Sequence, residues 1–471
     1  MQGPALLPVN VLSNIVINMA DYIEPRVLKG FRDFLPGAET VRRGLTEKIE
    51  AVFRSFGFVP IDTPALEYAE ILLGKGGGET EKQIYRFKDN GDRDVALRFD
   101  LTVPFARYVA LHREELVFPF KRYHIGKVWR GENTQRGRYR EFTQCDFDII
   151  GSDSPASDFE ILLLIRTALL SLGLDVTIHV NHRGLFNRFL SHIGQQEKSV
   201  EVLRTVDKLA KVGEGETLKS LTELTGGQNA QKILDFIGAK GSFTETLNRI
   251  TELSGGPSPE SQRLSAVRQF MLDYCESAAA EGAEKNGDKK NADPFVLDPS
   301  ITRGLDYYTG VVFETFLNEL PDIGSICSGG RYDNLAGLYS KSKDTVSGVG
   351  SSIGLDRLIA ALESIGKLPT CGGGAVAIVC ANVEHSGQYQ ALAQKLREAD
   401  IPCEVFGEKD GEKWLLKQLV LAEKKGMRYA LIPGENPLEG PVTLRDLAAR
   451  QNSELSIEDA IGKIRKEPTA K

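Results

Sequence analysis

Between residues 41 and 56 the apolar positions Val41, Leu45, Ile49, Val52, Phe53 and Phe56 recur at helical spacing, so one face of a helix is predicted there, ending at Gly57. A strand follows from Phe58 to Ile61. Further strands are predicted at 95–99 (V-A-L-R-F), at 120–130 (F-K-R-Y-H-I-G-K-V-W-R) and at 139–150 (Y-R-E-F-T-Q-C-D-F-D-I-I), with a long hairpin loop over 131–138. From about 184 to 280 the Leu, Ile and Val spacing is mostly helical, and V-V-F-E-T-F at 311–316 returns to strand. The chain leaves its sheet and comes back, which predicts an α+β domain carrying a mostly helical insertion. Past residue 373 strands (375–380, 402–406, 428–432) alternate with helices (386–399, 412–425, and one from about 456), the pattern of a small α/β domain.

Punctuation sets the boundaries. S-G-G-P-S-P-E-S at 254–261 reads as a turn between helices, and L-P-T-C-G-G-G at 368–374 as an interdomain linker. A-A-A-E-G-A-E-K-N-G-D-K-K-N-A-D, residues 278–293, has no aromatic or β-branched residue and cannot bury enough apolar surface to offset chain entropy, so a mobile loop is expected. The expected division is a flexible extension over 1–26, with Met19 a candidate second start, a core formed by 27–183 and 295–367, an insertion over 184–294, and a C-terminal domain over 373–471.

Composition changes this picture little. With 471 residues, 41% hydrophobic and 26% charged, the chain is an ordinary globular one, neither disordered nor fibrous. Its 58 Lys+Arg against 65 Asp+Glu leave a net charge of -7, so a nucleic-acid partner would have to meet a local basic patch. Cysteines 145, 275, 327, 371, 380 and 403 contain no C-x-x-C pair, which points to reduced thiols. No apolar run approaches the roughly 18 residues of a membrane span, and residues 1–18 carry no Lys or Arg, so a cytosolic chain is expected and the N-terminus lends no support to a mitochondrial share.

Candidate chemistry concentrates at 120–150. Period-two alternation puts Phe142, Gln144, Asp146 and Asp148 on one face of a strand and Thr143, Cys145, Phe147 and Ile149 on the other. An exposed sheet surface would explain the polar face without any function. Its neighbour, Phe120 to Arg140, holds Lys121, Arg122, Lys127, Arg130, Arg136, Arg138 and Arg140 against the single acid Glu132. These cations are either a solvated basic face or part of a pocket for a polyphosphate, with Asp100 and Asp148 available to a substrate amine. No G-x-x-x-x-G-K-[ST] occurs, which removes P-loop NTPases, and G-K-G-G-G-E at 74–79 reads as a flexible loop. His179 and His182 lack a third ligand at a familiar spacing, so no metal site in the protein is expected. Three segments combine glycine with charge: R-G-L-D-Y-Y-T-G at 303–310, S-G-G-R-Y-D-N-L at 328–335 and G-V-G-S-S-I-G-L-D-R-L at 348–358. The last sets Arg357 in the first turn of a helix after a strand whose glycines would let a flat base approach, or would simply pack.

Taken in order, these segments resemble the histidyl-tRNA synthetase family of class II aminoacyl-tRNA synthetases, from Val27 onward. Residues 41–64, ending at Pro64, resemble the first class motif, which in the family forms a homodimer interface. W-R-G-E at 129–132 resembles the second, and the third resembles G-L-D-R-L with Arg357. R-G-L-D-Y-Y-T-G and S-G-G-R-Y-D resemble the two histidine-specific signatures. The resemblance implies a class II antiparallel sheet core flanked by helices, and a C-terminal anticodon-binding domain. It implies that Arg130 and Arg303 are catalytic, that Arg130, Glu132 and Arg357 bind ATP, and that Asp100, Thr102, Gln144, Asp148, Arg303, Tyr307, Tyr308 and Tyr332 surround histidine. Asp at 100 and 148, where bacterial relatives often carry Glu, suggests a eukaryotic-type member. The implied reaction joins L-histidine to ATP, with Mg2+ on the nucleotide, and passes histidine to the 3′-terminal adenosine of tRNA(His). The C-terminal domain has 14 basic and 15 acidic residues, and Lys413, Lys417, Lys424 and Lys425 are its RNA-contact candidates. The rival readings are a non-catalytic regulatory subunit, such as the partner of ATP phosphoribosyltransferase, and a prolyl, threonyl or glycyl synthetase.

Overall fold

The computed structural model describes residues 23–74, 79–280, 293–301, 307–339, 346–369, 375–407 and 412–466. The extension up to residue 22, most of the 278–293 loop, the glycines of 75–78, linker residues 370–374 and the catalytic candidate Arg303 lie outside these residues.

Helix α1 (Pro36–Ser55) starts with a proline at its first turn and buries Leu45, Ile49 and Phe53, the predicted face. Then come β1 (Val59–Pro60), β2 (Leu66–Tyr68), α2 (Ala69–Leu73), α3 (Glu79–Gln83), β3 (Arg86–Lys88), β4 (Asp94–Leu97) and α4 (Thr102–Leu111). The hairpin β5 (Phe120–Trp129) and β6 (Glu141–Ile150) leads to α5 (Pro155–Ser171) and β7 (Val176–His182). The insertion holds α6 (Arg183–His192), α7 (Ser199–Val206), α8 (Leu209–Val212), α9 (Glu214–Thr225), α10 (Gly227–Ile237), α11 (Phe243–Leu253) and α12 (Pro259–Ala280). The sheet resumes with β8 (Phe295–Leu297), β9 (Val311–Leu317), β10 (Cys327–Tyr332) and β11 (Gly348–Gly354), followed by α13 (Leu355–Ser364).

Among the described residues these strands make an 8-stranded sheet in the order β1-β5-β6-β11-β10-β9-β7-β8. All its pairings are antiparallel except β1 with β5 and β7 with β8. Cys145, Phe147 and Ile149 on β6 face α1 and α5, with Phe53 4.8 Å from Phe147 between ring centres. Burying this apolar face on helices leaves the other face of β6 to line a cleft. The insertion does not stand apart: its buried residues, such as Ile233, Phe236 and Val267, belong to the same apolar cluster as the sheet. A charge lock adds to this. Arg331 of β10 donates twice to Asp158 Oδ1 of α5, at 2.8 and 2.6 Å, and Arg263 of α12 donates to its Oδ2 at 2.6 Å.

The C-terminal residues form β12 (Val376–Val379), α14 (Ser386–Glu398), β13 (Cys403–Phe406), α15 (Glu412–Lys424), β14 (Tyr429–Pro433), β15 (Val442–Asp446), β16 (Gln451–Leu455) and α16 (Ile457–Lys466). The 5-stranded sheet, ordered β13-β12-β14-β15-β16, has apolar clusters on both faces. The hairpin β15–β16 has no counterpart in the predicted elements, because Q-N-S-E-L carries almost no apolar alternation and β16 is an edge strand.

Candidate active site

The hairpin β5–β6 builds the floor of the cleft. Register pairs Arg122 with Asp148, His124 with Asp146 and Gly126 with Gln144, which puts these side chains on one face. A solvated strand face would be open to water, yet Asp146 and Asp148 are each 2% exposed and Gln144 8%. The polar face is therefore a pocket wall. Arg122 is fully buried, with its guanidinium 4.1 Å from the Phe105 ring centre and Nη2 2.6 Å from Asp148 Oδ2. Tyr332 Oη donates to Asp148 Oδ1 at 2.7 Å. Burial pushes the Asp148 carboxyl up, while Arg122 and the Tyr332 hydrogen bond pull it down.

The glycines of β10 and β11 make room for these groups. A Cβ on Gly350 would overlap Asp148 Oδ1, one on Gly348 the Tyr332 ring, and one on Gly330 would lie 3.0 Å from the Tyr308 ring. Of the two roles open to the β11 glycines, packing is the one seen at 348 and 350. Above the floor, Asp100 Oδ1 accepts from the backbone N–H of Val103, in the first turn of α4, at 2.9 Å, and Tyr307 Oη donates to Asp100 Oδ2 at 3.4 Å. Burial pushes the Asp100 carboxyl up as well. Tyr307 meets Tyr308 and Tyr332 edge-on at 4.9 and 6.1 Å, and Thr102 lines the same space. Gln144 Oε1 and Asp146 Oδ1 are buried acceptors without a donor, so this aromatic-walled pocket is built to take N–H groups.

Cations gather at the other end. The Arg130 guanidinium lies 4.4 Å from the Phe99 ring centre and 5.2 Å from that of Phe142, and its Nε donates to the Phe99 carbonyl at 3.1 Å. Arg357 donates to the Ser325 carbonyl, and burial together with the nearby Arg138 and Arg130 charges lowers its pKa to about 10. Glu132 sits 3.6 Å from Arg138 Nη1. Asp356 holds the start of α13 in place by accepting from the backbone N–H of Thr143 at 2.7 Å and pairing with Arg32. Of the seven cations between 121 and 140, Arg130 and Arg138 line the cleft. Lys121 pairs with Glu160, Lys127 with Glu141 at 2.7 Å, and Arg140 Nε donates to the Glu132 carbonyl at 3.2 Å.

The cleft runs through both ends, with a volume of about 1320 Å³. It brings together Asp100, Thr102, Arg130, Glu132, Gln144, Asp148, Tyr307, Tyr308, Tyr332 and Arg357 from segments far apart in the chain. It also holds Tyr139, Phe142, Asp146 and Glu314, which the sequence reading did not place in a site. For Asp146 the signal was present, since it lies between Gln144 and Asp148 on the same strand face. Arg122 stood among the seven clustered cations, but its burial left no trace, because a buried arginine and a solvated one look alike in sequence. His179 Nδ1 lies 2.8 Å from Asp298 Oδ2, and His182 Nδ1 accepts from the backbone N–H of Gly184 at 3.1 Å, so each has a structural partner. In the C-terminal domain Lys417 Nζ lies 4.1 Å from the Trp414 ring centre and Lys425 pairs with Glu404, while the Lys413 side chain lies outside the described residues.

The large sheet, the antiparallel hairpin with its arginine and the glycine-rich strand leading into the Arg357 helix define a class II aminoacyl-tRNA synthetase fold. Residues 30–358 match the family model described as histidyl-tRNA synthetase, and residues 375–467 match that of an anticodon binding domain. The chain belongs to the histidyl-tRNA synthetase family. It is 51% identical over 464 residues to a histidine–tRNA ligase of Treponema denticola, covering 95% of this chain and 99% of that one. The crystal structure of a histidyl-tRNA synthetase from Nostoc sp. PCC 7120 superposes with a TM-score of 0.77 at 32% identity, covering 95% of this chain and 100% of that one. A structure described as an ATP phosphoribosyltransferase regulatory subunit/histidyl-tRNA synthetase from Bacillus halodurans C shares the fold, with a TM-score of 0.68 at 21% identity over 86% of this chain and 97% of that one. The histidine–tRNA ligase relatives at 42–51% identity, from Treponema to Helicobacter, are bacterial, so the eukaryotic-type expectation drawn from Asp100 and Asp148 finds no support in them.

Proposed function

We infer that this chain is a histidine–tRNA ligase, which converts L-histidine and ATP to histidyl-adenylate and pyrophosphate and then passes histidine to the 3′-terminal adenosine of tRNA(His). The observation that carries this reading is one cleft with unpartnered acceptors and three tyrosines at one end and convergent arginines at the other. In the first step the substrate carboxylate attacks the α-phosphorus, an O–P bond forms and the bond to pyrophosphate breaks. No protein nucleophile is needed, so the residues bind, align and neutralise charge. We assign Arg130 and Arg303 to the carboxylate and α-phosphate, Arg357 and Glu132 to the nucleotide, and Asp100, Thr102, Gln144, Asp148 and the three tyrosines to histidine. Among the described residues no group of three His, Cys, Asp or Glu side chains is placed to hold a metal. Magnesium would rest on the ATP phosphates, where it offsets the charge of the leaving pyrophosphate.

We extend the reading to a catalytic core of 27–183 and 295–367, an insertion of 184–294 and an anticodon-binding domain of 373–471. A homodimer through residues 41–64 is supported by edge strand β1, where Val59 is exposed, and by exposed Leu66 and Tyr68 just after that segment. No helix among the described residues is long and apolar enough to cross a membrane, and a cytoplasmic enzyme is the natural setting for this reaction.

Amino-acid-dependent ATP–pyrophosphate exchange tests the activity. Exchange with histidine, and none with proline, threonine or glycine, is the expected result; no exchange from folded protein would favour the regulatory reading instead. Arg303→Ala should depress exchange by orders of magnitude with the fold intact, and near-normal turnover would remove Arg303 from the mechanism.

A further inference from the structure

Gln144, Asp146 and Asp148 project from the same face of β6, so a ligand touching both outer residues must cross the middle one. Asp146 is 2% exposed, and its Oδ1 is a buried acceptor with no donor. Ser352, opposite Asp146 on β11, favours the ionised carboxylate, and its hydroxyl accepts from Gln144 Nε2 at 2.8 Å.

The groups facing Asp146 come from every neighbouring element. Arg122 and His124 stand beside it on β5, Arg98 and Asp100 between β4 and α4, Asp148 on β6, Tyr307 and Tyr308 ahead of β9, and Cys327 on β10. Burial keeps both tyrosines and Cys327 protonated, and pushes His124 down to about 3, so His124 is neutral. Of the nearby guanidiniums, Arg122 is spent on Asp148 at 2.6 Å, Arg130 offsets Asp100, and Arg98 is divided between Asp146 and Asp62, the latter at 3.8 Å. Neither Arg122 nor Arg98 makes a direct ion pair with Asp146, whose charge they offset only at a distance.

We propose that Asp146 is an amino-acid-binding carboxylate of this cleft, accepting from the substrate's α-ammonium group between Gln144 and Asp148. The assignment rests on the cleft being the histidine pocket. Burial first, then the Asp148 and Asp100 charges, push the Asp146 carboxyl up to about 7, with Arg122 opposing them. Near neutrality the empty pocket therefore holds this carboxyl partly protonated. An entering ammonium favours the ionised form, and the proton leaves to solvent.

Two measurements on the whole chain test this. In ATP–pyrophosphate exchange at about pH 8, Asp146→Asn should raise the KM for histidine about ten- to a hundredfold, the loss expected for a charge-assisted hydrogen bond, while the KM for ATP stays within about twofold. Calorimetric titration of histidine at about pH 6.5, in two buffers of different ionisation enthalpy, should show proton release by the wild-type protein that the variant lacks. The imidazole of free histidine titrates equally in both experiments and cancels. An unchanged histidine KM, or equal proton release from folded variant, overturns the assignment. Should the Asn variant not fold, Asp146→Ser gives the same comparison. Absence of histidine-dependent exchange in the wild type would instead overturn the histidine-pocket reading itself.

Discussion

Gly350 has no side chain because the Asp148 carboxylate occupies the space one would fill. Gly350→Ala should therefore cost about 1–3 kcal/mol by overpacking and raise the KM for histidine more than that for ATP, since Asp148 must move. At the nucleotide end, Arg130→Ala removes a guanidinium that lies against Phe99 and Phe142, half-buried at the cleft wall. Loss of one charge-stabilising donor should lower exchange by about a hundred- to a thousandfold with little change in thermal midpoint. Equal falls in midpoint and rate would give Arg130 a structural role instead. Asp146 makes a prediction about stability as well as binding. Its folded pKa, about 7, lies above the ordinary 3.8, so the folded state binds more protons and the empty protein loses stability as pH rises between those values. Asp146→Asn should then be as stable as wild type near pH 4 and more stable near pH 8, by on the order of 1–4 kcal/mol at about 1.4 kcal/mol per pKa unit. Urea unfolding at the two pH values checks the sign.

At the scale of elements, the signature S-G-G-R-Y-D shows how one strand serves two purposes. Successive residues on β10 point to opposite faces, so Tyr332 joins the pocket while Arg331 turns away to Asp158 on α5. Asp158 also takes Arg263 from α12, so the carboxylate ties the sheet, a core helix and the last helix of the insertion at one fully buried point. Asp158→Ala would leave Arg263 with Asp153 alone, at 2.9 Å, and Arg331 with Asp153 and Asp333, each at 3.6 Å, and should destabilise the fold by up to about 3–5 kcal/mol. Asp158→Glu, which keeps the charge, should recover part of the loss. A midpoint shift below about 2 °C in Asp158→Ala would mean the lock contributes little. The predicted helix face of α1 and the alternation of β6 were legible because one face of each is apolar and packs on the other. Strand β10 was not legible from alternation, and β11 was read as a strand only through the helix that follows it, since their glycines answer to side chains from neighbouring strands and not to a local pattern.

At the scale of the molecule, the C-terminal sheet has apolar clusters of its own on both faces, made of residues 375–466. A fragment spanning them should unfold cooperatively by itself, whereas one confined to 184–294 should not, because that segment shares its apolar cluster with the sheet. The homodimer has its own test in sedimentation at low concentration, where a persistent monomer would count against an interface at 41–64. What the sequence determined by itself was local or ordered along the chain: the helix and strand periods, the breaks between them, and the succession of motifs that marks the family. It also carried most of the cleft residues, since Arg130, Asp148, Tyr307, Tyr308 and Arg357 stand in those motifs. Only the tertiary structure decided which charges are spent on each other and which remain for a ligand. Lys121 and Lys127 are neutralised by Glu160 and Glu141, Arg122 is drawn under the pocket floor against Asp148, and Asp146 is left buried with an unpartnered carboxylate oxygen. The physical reason is that the energy of a charge depends on its burial and its neighbours, and both are set by strands and helices that come from distant parts of the chain.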